Sequence, residues 1–131
     1  MLQELSNSQA NWVESTLNSM SMEELVGLLI CPESRKYTKQ DWLDLFDQAP
    51  IGNIFFGNNN AKEMKDTLSA IQNKAKYPVL VAVDMEQGMG LACDFGTNFP
   101  EQMGLAAAGD VELTREMGRI LAREVRPLGV H

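Results

Sequence analysis

The chain has 131 residues, of which 44% are hydrophobic and 22% charged, a composition ordinary for a soluble globular domain. Its formal charge is −7 and its basic residues are scattered, which argues against a nucleic-acid partner. No stretch approaches the roughly 20 apolar residues of a membrane span, and the N-terminus lacks the charged and apolar regions of a signal peptide. We therefore expect no membrane partner and a cytoplasmic protein.

The two cysteines, Cys31 and Cys93, are far apart and have no metal-ligand spacing. We interpret them as reduced, partly buried thiols. Nothing else in the sequence indicates a cofactor, and we expect neither a cofactor nor a metal.

The first 20 residues predict a leading helix, because apolar residues recur at three- and four-residue steps from residue 8 to residue 20. Ser21 and Glu24 form a capping box that predicts a second, short helix. The apolar run 28–30 that follows is either a first strand or the end of that helix. Thr38 and Asp41 cap a third helix, which Pro50 ends.

Residues 51–83 predict a strand, helix, strand unit. The segment 51–57 is apolar and aromatic between glycines, 61–76 has a single apolar stripe, and 79–83 is apolar and rich in β-branched side chains. A unit of this length joins parallel strands through a right-handed crossover. The chain is therefore predicted to be α/β.

The segment from residue 84 to residue 104 is rich in glycine and polar residues and is predicted to be a working loop. A helical turn is expected at 105–108, and Asp110 caps a long helix from 110 to 126. Pro127 and Gly129 stop that helix. The alternating pattern then calls for another strand, of which only the first residues are present, so the chain is predicted to end in mid-unit.

Asp84 is the first candidate for a functional residue, because it follows a buried strand, and ligands of α/β sheets bind outside the carboxyl ends of strands. Glu86 lies two residues further on. The structural alternatives are that Asp84 caps its own turn, and that Glu86 orders its loop through nearby amides or an arginine. Gly88 and Gly90 are expected to supply turn conformations, and His131 to have a structural role or to lie at a frayed end.

Five motifs in register resemble the start of family 3 glycoside hydrolases, the β-glucosidase and β-N-acetylhexosaminidase group. They are S-M-E-E-L-V-G-L-L-I, I-G-N-I-F-F-G, P-V-L-V-A-V-D-M-E-Q-G, G-T-N-F-P and A-R-E-V-R-P-L-G-V-H, and they cover nearly the whole chain from residue 12. The sequence departs from the family pattern at Gln87, where glycine is usual, and it lacks an arginine often found shortly after.

The resemblance implies an α/β fold that is the N-terminal portion of a TIM-type (β/α)8 barrel, incomplete in residues 1–131. It implies that Asp84 accepts hydrogen bonds from sugar hydroxyls, with Glu86 as a second substrate-binding candidate on a substrate loop at 84–104. The implied enzyme is a retaining hydrolase of terminal β-linked glucosides or N-acetylglucosaminides. Its nucleophile and its acid/base lie beyond residue 131, so we assign no catalytic residue and expect this chain alone to be inactive.

Two other interpretations stay open. One is a small flavodoxin-like α/β domain that binds a small polar ligand through the loop after Asp84, and the other is a truncated remnant without function. A partial barrel would leave a strand edge and apolar helix faces uncovered. Its expected protein partners are therefore the remainder of the barrel or a second copy of the chain.

Overall fold

The computed structural model describes residues 4–34, 36–57 and 60–131, and residues 1–3 of the predicted leading segment lie outside this set. The helices are α1 Asn7–Ser19, α2 Met22–Gly27, α3 Lys39–Gln48, α4 Ala61–Lys74, α5 Met89–Ala92, α6 Gln102–Ala107 and α7 Val111–Val125. The strands are β1 Glu33–Ser34, β2 Asn53–Phe56 and β3 Leu80–Ala82, and a 3-10 helix covers Arg126–Leu128.

The strands of the described residues form one parallel sheet in the order β1, β2, β3. Glu33 pairs with Phe55 across the first ladder, and Ile54 pairs with Val81 across the second. Helices α3 and α4 provide the two crossovers between neighbouring strands. All carboxyl ends of the strands therefore meet at one edge of the sheet, where α/β proteins bind their ligands.

The core lies between β2, β3 and the helices that connect the strands. Ile54 and Phe56 alternate with less buried neighbours along β2, as expected of a pleated strand. Helix α4 is capped by Asn60, whose side chain accepts a hydrogen bond from the Glu63 amide at 3.0 Å. Its buried face contributes Met64, Thr67, Leu68 and Ile71. This burial fixes α4 against the sheet and sets the direction in which its N-terminus points.

The last described residues lie along the outer edge of β3. The His131 amide donates to the Val81 carbonyl at 3.1 Å, and the Val81 amide donates to Nδ1 of His131 at 3.1 Å. Val130 beside it is buried. These contacts agree with the structural role expected of His131 and place it against β3.

Of the two alternatives for the run 28–30, the end of helix α2 is confirmed, because the amides of Leu29 and Ile30 donate to the carbonyls of Val26 and Gly27. Two other features differ from the sequence-based expectations. The first strand is the polar pair Glu33–Ser34. It is defined by its pairing with β2, and no apolar periodicity in the sequence indicates it. The segment 84–104 is not all loop, because it contains α5 and the start of α6.

Helix α1 is stabilised locally rather than by packing. Its capping box joins Ser6 and Gln9, but none of its residues is buried, and Trp12 is 57% exposed. No helix in the described parts of the chain combines the length and apolar character needed to cross a bilayer.

Candidate functional site

A cleft of about 950 Å³ opens at the carboxyl edge of the sheet. The segments that follow β1, β2 and β3 all contribute to it, together with residues of α4 and α5. Its lining residues include Lys36, Tyr37, Thr38, Lys39, Phe56, Gly57, Glu63, Asp66, Thr67, Asp84, Glu86, Gly88 and Leu91. The cleft therefore occupies the position from which parallel sheets bind small molecules.

Asp84 and Glu86 both line this cleft, immediately after β3. Val83 and Met85, which alternate with them, are partly buried against the hydrophobic core. Both carboxylate residues are exposed. The alternation of core-facing and exposed residues thus brings the two predicted site residues together at the cleft.

The carboxylates of Asp84 and Glu86 have no hydrogen-bond or ion-pair partner within the described ranges 4–34, 36–57 and 60–131. The structural alternatives for these residues required such partners, namely turn amides for Asp84 and amides or an arginine for Glu86. The loop instead uses the main chain of Glu86, whose carbonyl oxygen accepts a hydrogen bond from Nε2 of Gln102 at 2.6 Å. Both carboxylates therefore retain their capacity to accept hydrogen bonds from a ligand.

We call residues 84–101 the Asp84 loop, which runs from the end of β3 to the start of α6 and contains α5. Gln87, the departure from the family motif, joins the two ends of this loop. Its carbonyl accepts from the Phe99 amide at 2.7 Å, and its side-chain Nε2 donates to Oε1 of Glu101 at 3.1 Å. A glycine at 87 would lack the second of these contacts, so the departure adds a side-chain link to the loop.

Gly88 adopts a conformation that favours glycine, with φ of +99°. A Cβ atom at this position would lie 2.2 Å from the carbonyl oxygen of Thr97. The glycine therefore permits the turn after Glu86 to lie close to the segment around Thr97. This agrees with the turn role expected of Gly88.

Two carboxylates that the sequence analysis did not single out fix the Asp84 loop to the helices beside it. Asp94 accepts hydrogen bonds from the Ala61 amide at 2.8 Å and from Nδ2 of Asn60 at 2.9 Å. Glu124, on α7, accepts from the Thr97 amide and hydroxyl. Thr97 and Glu124 each lie in one of the quoted family motifs, to which the sequence analysis assigned no role. Membership in these motifs was the signal by which the two residues could have been found. The structure shows that the two motifs contact each other.

An aromatic pair beneath one side of the cleft was also missed. Tyr37 lines the cleft, and its ring meets Trp42 edge-on at 5.1 Å between centroids. Trp42 is fully buried and packs in turn against Phe56. Tyr37 lies in a polar segment after β1, where no periodicity indicates its role.

The described residues contain no cluster of three or more His, Cys, Asp or Glu side chains that could hold a metal ion. The cleft combines acidic residues with Lys36, Lys39 and the aromatic ring of Tyr37. Ionised carboxylates form strong hydrogen bonds with hydroxyl donors. The arrangement is therefore chemically suited to a neutral ligand with several hydroxyl groups.

Comparison with known proteins gives concordant results. The model of the glycosyl hydrolase family 3 N-terminal domain matches residues 17–131. A β-N-acetylglucosaminidase/β-glucosidase of Cellulomonas fimi is 27% identical over 122 residues, which cover 92% of this chain and 21% of that protein. The solved structure of β-glucoside phosphorylase BglX bound to 2FGlc is 30% identical, with a TM-score of 0.84, over 96% of this chain and 23% of that one. A second BglX structure has a TM-score of 0.81 at the same 30% identity, over 97% of this chain and 22% of that one.

The chain thus spans about a fifth of the length of these relatives. The prediction of an α/β fold that forms the N-terminal portion of a barrel, incomplete in these residues, is confirmed by this match and by the parallel sheet. The flavodoxin-like alternative is not favoured. With the family model covering all but its first 16 residues, the chain belongs to glycosyl hydrolase family 3, within its N-terminal domain.

Proposed function

We propose that this chain supplies part of the sugar-binding pocket of a family 3 glycosidase, and that Asp84 accepts hydrogen bonds from hydroxyls of the terminal sugar. The observation that carries the proposal is the position of Asp84, exposed and without a partner in the described residues, in the cleft at the carboxyl edge of the sheet. One ionised carboxylate can serve two neighbouring hydroxyls, and each such bond is stronger than a neutral one. Glu86 is proposed as a second acceptor in the same cleft.

The proposed reaction of the complete enzyme is hydrolysis of a terminal β-linked glucoside or N-acetylglucosaminide with retention of configuration. Retention requires one group to attack the anomeric carbon and another to protonate the leaving oxygen. We assign neither role to Asp84 or Glu86, whose proposed task is to bind and orient the sugar. Accordingly, the 131-residue chain alone is expected to bind a sugar without cleaving it.

A second candidate reaction is phosphorolysis of the same bond, because the two solved structures at 30% identity are described as β-glucoside phosphorylases. The two reactions differ in the acceptor, which is water in one and inorganic phosphate in the other. Assays of a longer gene product that contains this chain, with and without phosphate, separate them. Release of a sugar phosphate only when phosphate is present would favour phosphorolysis over hydrolysis.

The binding role is tested on the chain itself by titration with methyl β-D-glucopyranoside, followed by two-dimensional amide NMR. Shifts of amides near residues 84–88, which Asp84→Asn abolishes, are the expected result. Asp44→Asn is the matched control, because Asp44 is exposed on α3 and lies outside the cleft. Equal binding by the Asp84→Asn variant and the unmodified chain would contradict the proposal, and the N-acetylglucosamine glycoside tests the alternative sugar.

The enzymatic part of the proposal is tested by reading the gene beyond the codon for His131. A continuing open frame that encodes a later strand-end aspartate is the expected result. Replacement of that aspartate in the longer product should abolish turnover while sugar binding persists. A stop codon at this point would contradict the claim that the chain belongs to a complete enzyme.

A further inference from the structure

Helix α7 holds the Asp84 loop through one carboxylate. Both oxygens of Glu124 lie 3.1 Å from the Thr97 amide nitrogen, and Oε1 accepts the Thr97 hydroxyl at 2.6 Å. A charged acceptor forms stronger hydrogen bonds than a neutral one, and here one carboxylate fixes both the main chain and the side chain of Thr97. The next residue on the helix, Val125, is buried in the core and anchors this part of α7.

Thr97 transmits this constraint to the turn that follows Glu86. Its carbonyl oxygen accepts a hydrogen bond from the Gly90 amide at 3.2 Å and is the atom that a side chain at Gly88 would strike. Two residues later, the Phe99 amide donates to the Gln87 carbonyl at 2.7 Å. Residues 87–90 therefore lie directly against residues 97–99, whose position Glu124 sets.

Glu124 itself is outside the cleft, whose lining includes Asp84 and Glu86 but no residue of α7. Its hydrogen bonds to the Asp84 loop within the described residues are made with Thr97. These bonds provide a route from Glu124 through Thr97 to the turn at 87–90. Sites of this kind depend on supporting residues, because a ligand-binding group must be held close to its productive position.

We propose that Glu124 is a positioning residue for the sugar site: by holding Thr97, it fixes the turn that orients Asp84 and Glu86. This inference rests on the proposed function, since it names the support of that same site. The competing explanation is that the Glu124 contact with Thr97 only stabilises the fold. A positioning role predicts that loss of the Glu124 carboxylate weakens sugar binding while the stability of the fold stays the same. A purely stabilising role predicts no loss of affinity at unchanged stability.

The test uses the full 131-residue chain and methyl β-D-glucopyranoside, with affinity measured by amide NMR and stability by thermal unfolding. Glu124→Ala should weaken binding on the order of tenfold while the unfolding midpoint stays close to that of the control variant. The control is Glu116→Ala on the same helix, because Glu116 pairs with Arg119 and no hydrogen bond among the described residues joins it to the loop. Glu124→Gln should restore part of the affinity, since its amide oxygen can still accept from Thr97.

A double-mutant cycle with Thr97→Val tests the route. The Glu124→Ala/Thr97→Val variant should bind no more weakly than the weaker single variant, because both changes break the same link. Amide exchange at Gly90 and Phe99, measured without sugar, should be faster in Glu124→Ala than in Glu116→Ala. Additive losses of affinity would contradict transmission through Thr97.

The failure of this inference and the failure of the proposed function give different results. If the unmodified chain binds the sugar, Asp84→Asn does not, and Glu124→Ala binds normally, then Glu124 is not a positioning residue while the sugar site stands. If Asp84→Asn binds as well as the unmodified chain, or the chain binds no sugar, the proposed function fails and the positioning role is overturned with it.

Discussion

The Asp94 carboxylate accepts a hydrogen bond from the Ala61 amide at 2.8 Å. The loop that follows β3 therefore caps α4, the helix that precedes β3 in the chain. Ala61 is the first residue of α4, whose early amides have no partner within the helix. The Asp84 loop is thereby attached to α4 through Asp94 and to α7 through Glu124. Cleft-lining residues of α4 and of the Asp84 loop are thus held in one arrangement.

The cap makes stability depend on pH. The Ala61 hydrogen bond, followed by that from the Cys93 thiol, lowers the pKa of Asp94 below its ordinary value. A carboxyl whose pKa is lowered by folding stabilises the protein above its unfolded pKa, and this contribution is lost as the pH falls through the folded pKa. Asp94→Asn should therefore lower the unfolding midpoint at neutral pH.

The difference between Asp94→Asn and the unmodified chain should shrink as the pH falls below about 4, the ordinary pKa of an aspartate in the unfolded chain, and should disappear only below the lowered pKa of the folded chain. Glu14→Gln is the control, because it removes one negative charge from an exposed position on α1. It should leave the midpoint at neutral pH unchanged. A constant difference between Asp94→Asn and the unmodified chain from pH 7 to pH 3 would contradict a role for the ionised cap.

Two glycines give opposite predictions for the same substitution. Gly88 has a positive φ and faces the Thr97 carbonyl, so Gly88→Ala should destabilise the chain by on the order of 1–3 kcal/mol. Gly118 lies within α7, and a Cβ atom there would meet nothing within 4 Å. Gly118→Ala should stabilise the chain by about 0.5–1 kcal/mol, since alanine loses less backbone entropy in a helix. Urea unfolding of both variants measures the signs, and a neutral Gly88→Ala would show that the turn can rearrange.

The two cysteines should react at very different rates. Cys31 is exposed, whereas Cys93 is buried, and burial raises the pKa of the Cys93 thiol. Because the thiolate is the reactive form, Cys93 should react about tenfold or more slowly with a soluble disulfide reagent near neutral pH. Cys31→Ser should remove the fast phase and Cys93→Ser the slow one. Equal rates in the two variants would mean that the region around Cys93 opens readily.

Local signals in the sequence were sufficient to predict the helices whose first turn is capped by nearby side chains. The Ser21 capping box forms as predicted, with both reciprocal hydrogen bonds present. The predicted N-cap at Thr38 is also present, and there too the Asp41 side chain bonds back, which completes a second capping box. The strands at 53–56 and 80–82 lie within their predicted ranges, but each buries only alternate residues. In the second of them Val81 is buried while Leu80 is 58% exposed, so this strand is less buried than its continuous apolar run suggests. Strand β1 was missed, because its two residues are defined by pairing with β2 and leave no periodic pattern.

The same distinction applies to the candidate site: residues with a local signal in the sequence could be predicted, and residues that depend on long-range contacts could not. Asp84 was identifiable because it follows the apolar run of a strand, and that position alone places it at the ligand-binding edge. The contacts of Asp94 with Ala61 and of Glu124 with Thr97 join residues 33 and 27 positions apart. Contacts over such separations depend on how the elements pack, so neither residue could be recognised from spacing.

Helix α1 provides a last prediction, because it contributes no buried residue and most of it precedes the family match, which begins at residue 17. Removal of residues 1–19 should leave the unfolding midpoint nearly unchanged. It should also reduce the binding of a dye that fluoresces on apolar surface, since Trp12 and Leu17 are exposed. Trp12→Ser with Leu17→Ser, in the otherwise intact chain, is the matched control and should reduce dye binding without shortening the chain. A large fall of the midpoint on deletion would show instead that α1 packs on the domain in solution.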